Sequence, residues 1–215
     1  VDGRSHPPQC GTVHLMELSG VPPLDWLDDV GDATVEVDVL TMRAAPKTDW
    51  FNDPAGSERV ANAPALMCGV SGDFQLEATI NVDFAATFDA GVLFVHQTSD
   101  DWAKLCFERD PTGQPMIVTV VTREVSDDSN EPAVSGNTVR VRISRFGTAL
   151  AFHYARSALD GTTSWALSRL FGLRSPALPM RIGFLTQSPT GNGCTAKFSD
   201  VVFATTTLLD PRDGS

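Results

Sequence analysis

One segment of the sequence combines an aromatic side chain, a cation and a carboxylate at alternating positions. Trp102, Lys104 and Glu108 are separated by even numbers of residues, and apolar residues occupy positions 103, 105 and 107. Successive side chains of a strand point to opposite faces, so these three should share one face. On a concave sheet such a face suits a ring-shaped polar ligand, because the indole can stack while the charges make hydrogen bonds. The alternative is a Lys–Glu pair on a solvated face, which stabilises little.

Glu77 and His153 are the other candidates for acid–base chemistry. Glu77 lies on the polar face of the alternating segment 74–82, and a carboxylate there could pair with Glu108 across strands. His153 lies between two core-type residues and so points away from the core, where an imidazole can act as general acid or base. We predict Glu77, Glu108 and His153 as the catalytic candidates of an enzyme. The alternative for Glu77 and His153 is an ordinary surface side chain.

Four further residues complete the predicted ligand-binding set. Asp49 and Trp50 follow a Pro-Lys-Thr turn, and we expect a loop at the groove rim with Trp50 as a stacking platform; the alternative is a plug at one end of the fold. Arg123 could grip an anionic ligand or form a local ion pair with Asp127-Asp128. Gln187 opens a polar, glycine-rich loop and is predicted to point into the groove.

The sequence implies no metal site and no cofactor. No Cys-x-x-Cys pair occurs, and no histidine lies at zinc-ligand spacing from a cysteine. Cys106 lies in an apolar run, which is typical of a buried or half-buried free thiol. The four cysteines are Cys10, Cys68, Cys106 and Cys194.

Apolar and polar residues alternate with a period of two along most of the chain. This pattern predicts β-strands, which would position the candidate side chains. Residues 165–170 allow a strand or one helical turn, and Asp160-Gly161 marks a turn. We expect a polar loop at 126–132 and a frayed tail at 210–215. Strands are predicted at 74–82, 91–97, 102–109, 117–122, 138–145, 149–155, 180–187 and 195–204.

Strands that recur about every 8–12 residues with turns between them indicate a β-sandwich or barrel. We predict an all-β fold, a jelly-roll sandwich of two antiparallel sheets, one of them concave. No linker or internal repeat divides the chain, so we expect one domain over residues 1–215 with its core at about 20–204.

The charge balance restricts the partners. The 215 residues include 27 acidic and 16 basic side chains, for a formal net charge of −11. An acidic surface repels phosphate backbones, so we expect no nucleic-acid partner. No apolar run approaches the roughly 20 residues of a membrane helix, so we expect no membrane partner. The lack of a signal-type apolar region and of an Asn-x-Ser/Thr sequon favours the cytoplasm, with a trimmed secreted product as the alternative.

Several stretches resemble the family called domain of unknown function 1349. They are Pro-Lys-Thr-Asp-Trp-Phe at 46–51, Asp-Trp-Ala-Lys-Leu-Cys-Phe-Glu at 101–108, and the segments 120–123, 126–128, 152–154, 183–184 and 187–191. That family includes a fungal regulation-of-enolase protein and belongs to the concanavalin A-like lectin/glucanase superfamily. The resemblance implies a two-sheet jelly roll, a concave face of carbohydrate-related ancestry, and no established catalytic residues. The three alternating acids of the superfamily's glucanases are missing, because the strand at 104–108 offers only Glu108, which argues against a retaining glycosidase.

Three functions follow as hypotheses. We favour a carbohydrate- or sugar-acid-binding protein, or a regulator descended from one, that uses the concave face and takes a carbohydrate or small anionic metabolite. The first alternative is a glycoside hydrolase or lyase with acid–base carboxylates in the same groove. The second alternative, suggested by the enolase-regulating relative, is a protein-interaction module whose partner is a metabolic enzyme.

Overall fold

The computed structural model describes residues 15–157 and 163–215. Cys10 and the turn expected at Asp160-Gly161 lie outside these residues. No helix in the described ranges is long and apolar enough to cross a membrane. The strands of the described residues are β1 (Asp25–Trp26), β2 (Asp32–Glu36), β3 (Val39–Arg43), β4 (Trp50–Asn52), β5 (Arg59–Ala61), β6 (Ala65–Val70), β7 (Phe74–Asp83), β8 (Ala90–Thr98), β9 (Asp101–Arg109), β10 (Pro115–Arg123), β11 (Val125–Ala133), β12 (Thr138–Phe146), β13 (Ala149–Ser157), β14 (Thr163–Phe171), β15 (Met180–Gln187) and β16 (Thr195–Ala204).

Two seven-stranded antiparallel sheets form a sandwich, which confirms the predicted all-β fold. The first sheet has the strand order β1-β6-β15-β8-β9-β10-β11, and the second has the order β14-β13-β12-β7-β16-β3-β2. Strands β4 and β5 pair only with each other and form a separate hairpin. Many neighbours in the sheets are distant in sequence, so the fold depends on long-range pairing.

The sandwich interior is built from alternate residues of the facing strands. On β7, Leu76, Ala78 and Ile80 are fully buried in the interior cluster, as the alternation predicts. On β9, Leu105 and Phe107 lie in the same cluster. The intervening side chains of both strands therefore point to the outer faces of their sheets.

A second apolar cluster lies on the outer face of the first sheet, beneath the β4–β5 hairpin. It joins Trp50 of the hairpin to Val92 and Phe94 of β8 and to Trp102 of β9. This covering explains why β8 is nearly all apolar, because its two faces are buried in two different clusters.

Three local predictions need correction or completion. Residues 126–132 are not a loop but part of the edge strand β11, whose backbone pairs with β10 while most of its side chains remain exposed. Polar residues are tolerated there because an edge strand faces solvent on one side. Residues 165–170 belong to β14 and are not a helical turn.

The tail at 210–215 is not frayed. It forms a turn in which the Gly214 amide donates to the Asp210 carbonyl at 2.9 Å. Arg142 Nη2 donates to the Gly214 carbonyl at 2.5 Å, and the ring nitrogen Nε2 of His153 lies 2.8 Å from the Pro211 carbonyl. The tail thus supplies partners for two buried polar side chains on the outer face of the second sheet.

Candidate functional site

The strand β9 presents its predicted polar row on the outer face of the first sheet. Trp102 and Cys106 lie in the outer apolar cluster, and Lys104 and Glu108 share their parity, which confirms the face assigned from the alternation. Strand β9 lies between β8 and β10 inside the sheet, so this row is flanked on both sides. Cys106 is a buried free thiol, as predicted.

The two tryptophans of the predicted site are buried and cannot stack on a ligand. Trp102 is 0% exposed and Trp50 is 4% exposed. Their rings meet edge to face at 5.6 Å between centroids. Trp50 Nε1 donates to the Ala63 carbonyl at 2.8 Å, and Trp102 Nε1 donates to the Ser99 carbonyl at 3.2 Å. The expectation of two stacking platforms is therefore wrong, because the hairpin folds over this part of the face and makes a small second core there.

The uncovered part of the same face holds a pocket with a volume of about 240 Å³. Strands β9 and β10 form its floor. The end of β15, the hairpin, the segment before β8 and the edge strand β11 contribute the walls. We call this site the pocket; it is lined by Asp49, Phe51, Phe88, Lys104, Glu108, Val118, Val120, Asp128 and Gln187.

Lys104 is a buried cation held by two oxygen acceptors. Only 2% of the residue is exposed. Its Nζ donates to Asp49 Oδ1 and to Gln187 Oε1, each at 2.9 Å. Burial acts to lower the pKa of Lys104, but the charge and hydrogen bond of Asp49, with smaller contributions from Cys106 and Glu108, together outweigh it, and the pKa lies above its usual value. The ammonium group is therefore charged, and Asp49 neutralises it.

Glu108 is the buried acid of the pocket. It is 7% exposed, and its side chain makes no hydrogen bond to any described residue. Burial raises the pKa of Glu108 to about 8, against the opposing effect of Lys104 and with a further contribution from Asp49. Glu108 therefore carries a proton at neutral pH, and its carboxyl group can both donate and accept a hydrogen bond.

Two phenylalanines and an aspartate of the pocket were not predicted. Phe51 is half-buried, and Phe88 is 36% exposed at the rim. Phe51 follows Trp50 on β4, so strand parity would have placed it on the opposite side from the buried indole. Phe88 has a positive φ of 68° in a segment without periodicity, so no sequence pattern indicates it. Asp128 is directly opposite Val120, whose other neighbour is Lys104, so the edge strand brings it to the pocket.

Glu77 does not share the pocket with Glu108. It lies on β7 in the second sheet, where interior residues flank it, so it points to the opposite outer face of the sandwich. Its carboxylate accepts from Arg140 Nη2 at 2.6 Å and lies 3.5 Å from Arg142 Nη1. The predicted Glu77–Glu108 pair is therefore wrong, because alternation assigns a face but does not say which sheet a strand joins.

His153 is also on the outer face of the second sheet. It is 0% exposed beneath the tail, and its Nε2 contacts the Pro211 carbonyl. Burial lowers the pKa of His153, and the contact with Pro211 opposes this only in part. The geometry gives it a structural role in anchoring the tail and separates it from Glu108.

Arg123 neither lines the pocket nor pairs with Asp127 or Asp128, so neither of the two predictions for it is right. It is exposed at the end of β10, and its Nε donates to the Gly172 carbonyl at 3.0 Å. The Asp127 carboxylate instead accepts from Arg169 Nη2 at 2.6 Å. Of the predicted site residues, the pocket brings together Asp49, Lys104, Glu108 and Gln187.

A larger cleft, of about 440 Å³, lies at one edge of the sandwich and has fewer side chains suited to binding or catalysis. No buried charged side chain lines it: Arg140 is half-buried and Arg156 is exposed. Nowhere in residues 15–157 and 163–215 do three or more His, Cys, Asp or Glu side chains group as metal ligands. The pocket on the first sheet is therefore the stronger candidate site.

Comparisons with known proteins identify the family. A family model described as protein of unknown function (DUF1349) matches residues 26–206. The match covers most of the chain, so the chain belongs to this family. No curated protein matches the sequence.

Solved structures show the same fold at low identity. A functionally unknown protein from Saccharomyces cerevisiae is 20% identical with a TM-score of 0.74, covering 87% of this chain and 97% of its own. A xylan beta-1,4-xylosidase from Bacillus halodurans C-125 is 12% identical with a TM-score of 0.62, covering 77% of this chain but 32% of its own. An alginate lyase from Klebsiella pneumoniae is 14% identical with a TM-score of 0.51, covering 80% of this chain and 83% of its own.

Proposed function

We propose that this member of the DUF1349 family binds a carbohydrate in the pocket. The observation that carries the proposal is the Glu108 carboxyl group, which lies on the pocket floor, belongs to a residue only 7% exposed, and is open to a ligand in the pocket. Because this carboxyl group opens onto the pocket and is protonated at neutral pH, it can both donate a hydrogen bond to a ligand hydroxyl and accept one from it.

The other walls suit a sugar ring. Sugar hydroxyls both donate and accept hydrogen bonds, and the pocket offers acceptors on Asp49 and Gln187 and donors on Lys104 and Glu108. The apolar face of a sugar ring can pack on an aromatic side chain, for which Phe88 at the rim is exposed. The volume of about 240 Å³ is below the roughly 300 Å³ of a drug-sized site, so one ring fits, with any longer chain extending into solvent.

Solved structures with similar folds support a carbohydrate as the class of ligand. The xylosidase and the alginate lyase act on xylan and on alginate, as their names state. Identities of 12% and 14% carry only the fold to this chain, so the pocket residues carry the rest of the argument.

The test is calorimetric titration with monosaccharides and short oligosaccharides. Replacing Phe88 with alanine should weaken binding by about 1–3 kcal/mol, the scale for a contacting aromatic side chain. Leu170→Ala is the matched control, because Leu170 is 40% exposed on β14 of the second sheet, and this change should leave affinity unchanged. Silence of the folded protein across the panel, or an equal loss in both variants, would contradict the proposal.

Glu108 also supports a second candidate, an acid–base enzyme of hydrolase or lyase type. A carboxylic acid that stays protonated at neutral pH beside the Asp49 carboxylate resembles the division of roles between paired catalytic acids. Assays for new reducing ends and for unsaturated products would test it. The enzyme would be supported by turnover that is lost in the Glu108→Gln variant and kept in the Glu77→Gln variant. Binding without turnover would contradict the enzyme and support the carbohydrate-binding function.

A further inference from the structure

We infer that the pocket selects an uncharged sugar ring over a sugar acid, because the one cation among its described residues is already neutralised and an aspartate lies at its edge. This inference rests on the proposed function and names the class of ligand within it. It also narrows the sequence-based expectation, which included sugar acids and small anionic metabolites.

The cation of the pocket is not available to an anionic ligand. Among the described side chains that line it, Lys104 is the only basic one. An ammonium group has three hydrogen-bond donors, and Lys104 directs two of them at Asp49 and Gln187. The third donor can serve a neutral hydroxyl, but a ligand carboxylate finds no unpaired positive charge there, because Asp49 already pairs with Lys104.

An aspartate at the edge of the pocket repels negative charge. Asp128 lies at the edge of the pocket on β11, in register with Val120 and Lys104 across three strands. Glu108 occupies the floor. A ligand carboxylate would be repelled by Asp128, whereas Glu108, which burial, Asp49 and Asp128 keep protonated, offers it no positive charge. Proteins that bind carboxylates usually use the paired donors of arginine, and no arginine lines the pocket in the described part of the chain.

The test uses matched pairs of probes that differ only in charge. Glucose and glucuronate, and galactose and galacturonate, are titrated by calorimetry and by saturation-transfer NMR at pH 6.5. We expect the neutral member of at least one pair to bind at least about tenfold more tightly than its acid. Equal or tighter binding of the acid overturns the inference and leaves the proposed function intact. Binding of neither member of any pair, with the protein folded, overturns the proposed function and the inference with it.

A pair of neighbouring aspartates separates the charge effect from an effect on folding. Asp128→Asn removes a negative charge from the pocket, and we expect it to raise the affinity for the acid relative to the neutral sugar at least about fivefold. Asp127→Asn is the control, because Asp127 points to the other side of β11 and pairs with Arg169. It should leave the ratio unchanged. A ratio that does not move in Asp128→Asn, or that moves equally in both variants, overturns the inference.

Discussion

Replacing Glu108 with glutamine should stabilise the protein at pH 8 and change its stability little at pH 5. Burial raises the pKa of Glu108 to about 8 from an ordinary value of 4.5. The unfolded chain releases this proton near pH 4.5, whereas the folded chain holds it until about pH 8. Between these values the folded state binds more protons, so the free energy of unfolding falls as pH rises, by about 1.4 kcal/mol per pH unit. Across the window the loss reaches about 5 kcal/mol at most, and glutamine cannot incur it.

Urea unfolding of the parent and of Glu108→Gln from pH 5 to pH 8.5 measures this effect. The difference between the two profiles isolates Glu108, because burial lowers the pKa of His96 and of His153 in both proteins alike. Glu36→Gln, at an exposed position on the edge strand β2, is the control and should run parallel to the parent. Parallel profiles for the parent and Glu108→Gln, or a less stable Glu108→Gln at pH 8, would refute the buried, protonated carboxyl group.

Three further predictions concern the residues around the two outer faces. Trp102→Ala should lower the free energy of unfolding by about 3–5 kcal/mol in urea, because it opens a cavity under the hairpin; a loss below about 1 kcal/mol would mean that the indole is accessible. Lys104→Met should cost about 3–5 kcal/mol at pH 7 by leaving its carboxylate partner without a cation, and an unchanged midpoint would contradict the buried ion pair. Deleting residues 209–215 should raise the pKa of His153 toward its usual value in an NMR titration, while His96 serves as the reference that does not move.

Much of the fold is predictable because alternation is a local property of the chain. Segments such as 74–82 and 138–145 form strands close to their predicted bounds. Strands β1 to β6, before residue 74, were not predicted, because most of them are short and lack a clear period. The sequence of the edge strand β11 predicts a loop, because its polar side chains form no apolar face, and only its pairing with β10 defines it as a strand.

The candidate site also has one part that is predictable from the sequence and another part that is not. The alternation in the sequence is sufficient to place Trp102, Lys104 and Glu108 on one face of a strand, because the orientation of successive side chains follows from backbone geometry alone. What covers each part of that face depends on the packing of distant segments against it. The hairpin buries the indole and leaves the Glu108 carboxyl group at an open pocket, while Glu77 goes to the other sheet. Sheet membership and covering depend on contacts between residues far apart in the chain, which local periodicity does not encode.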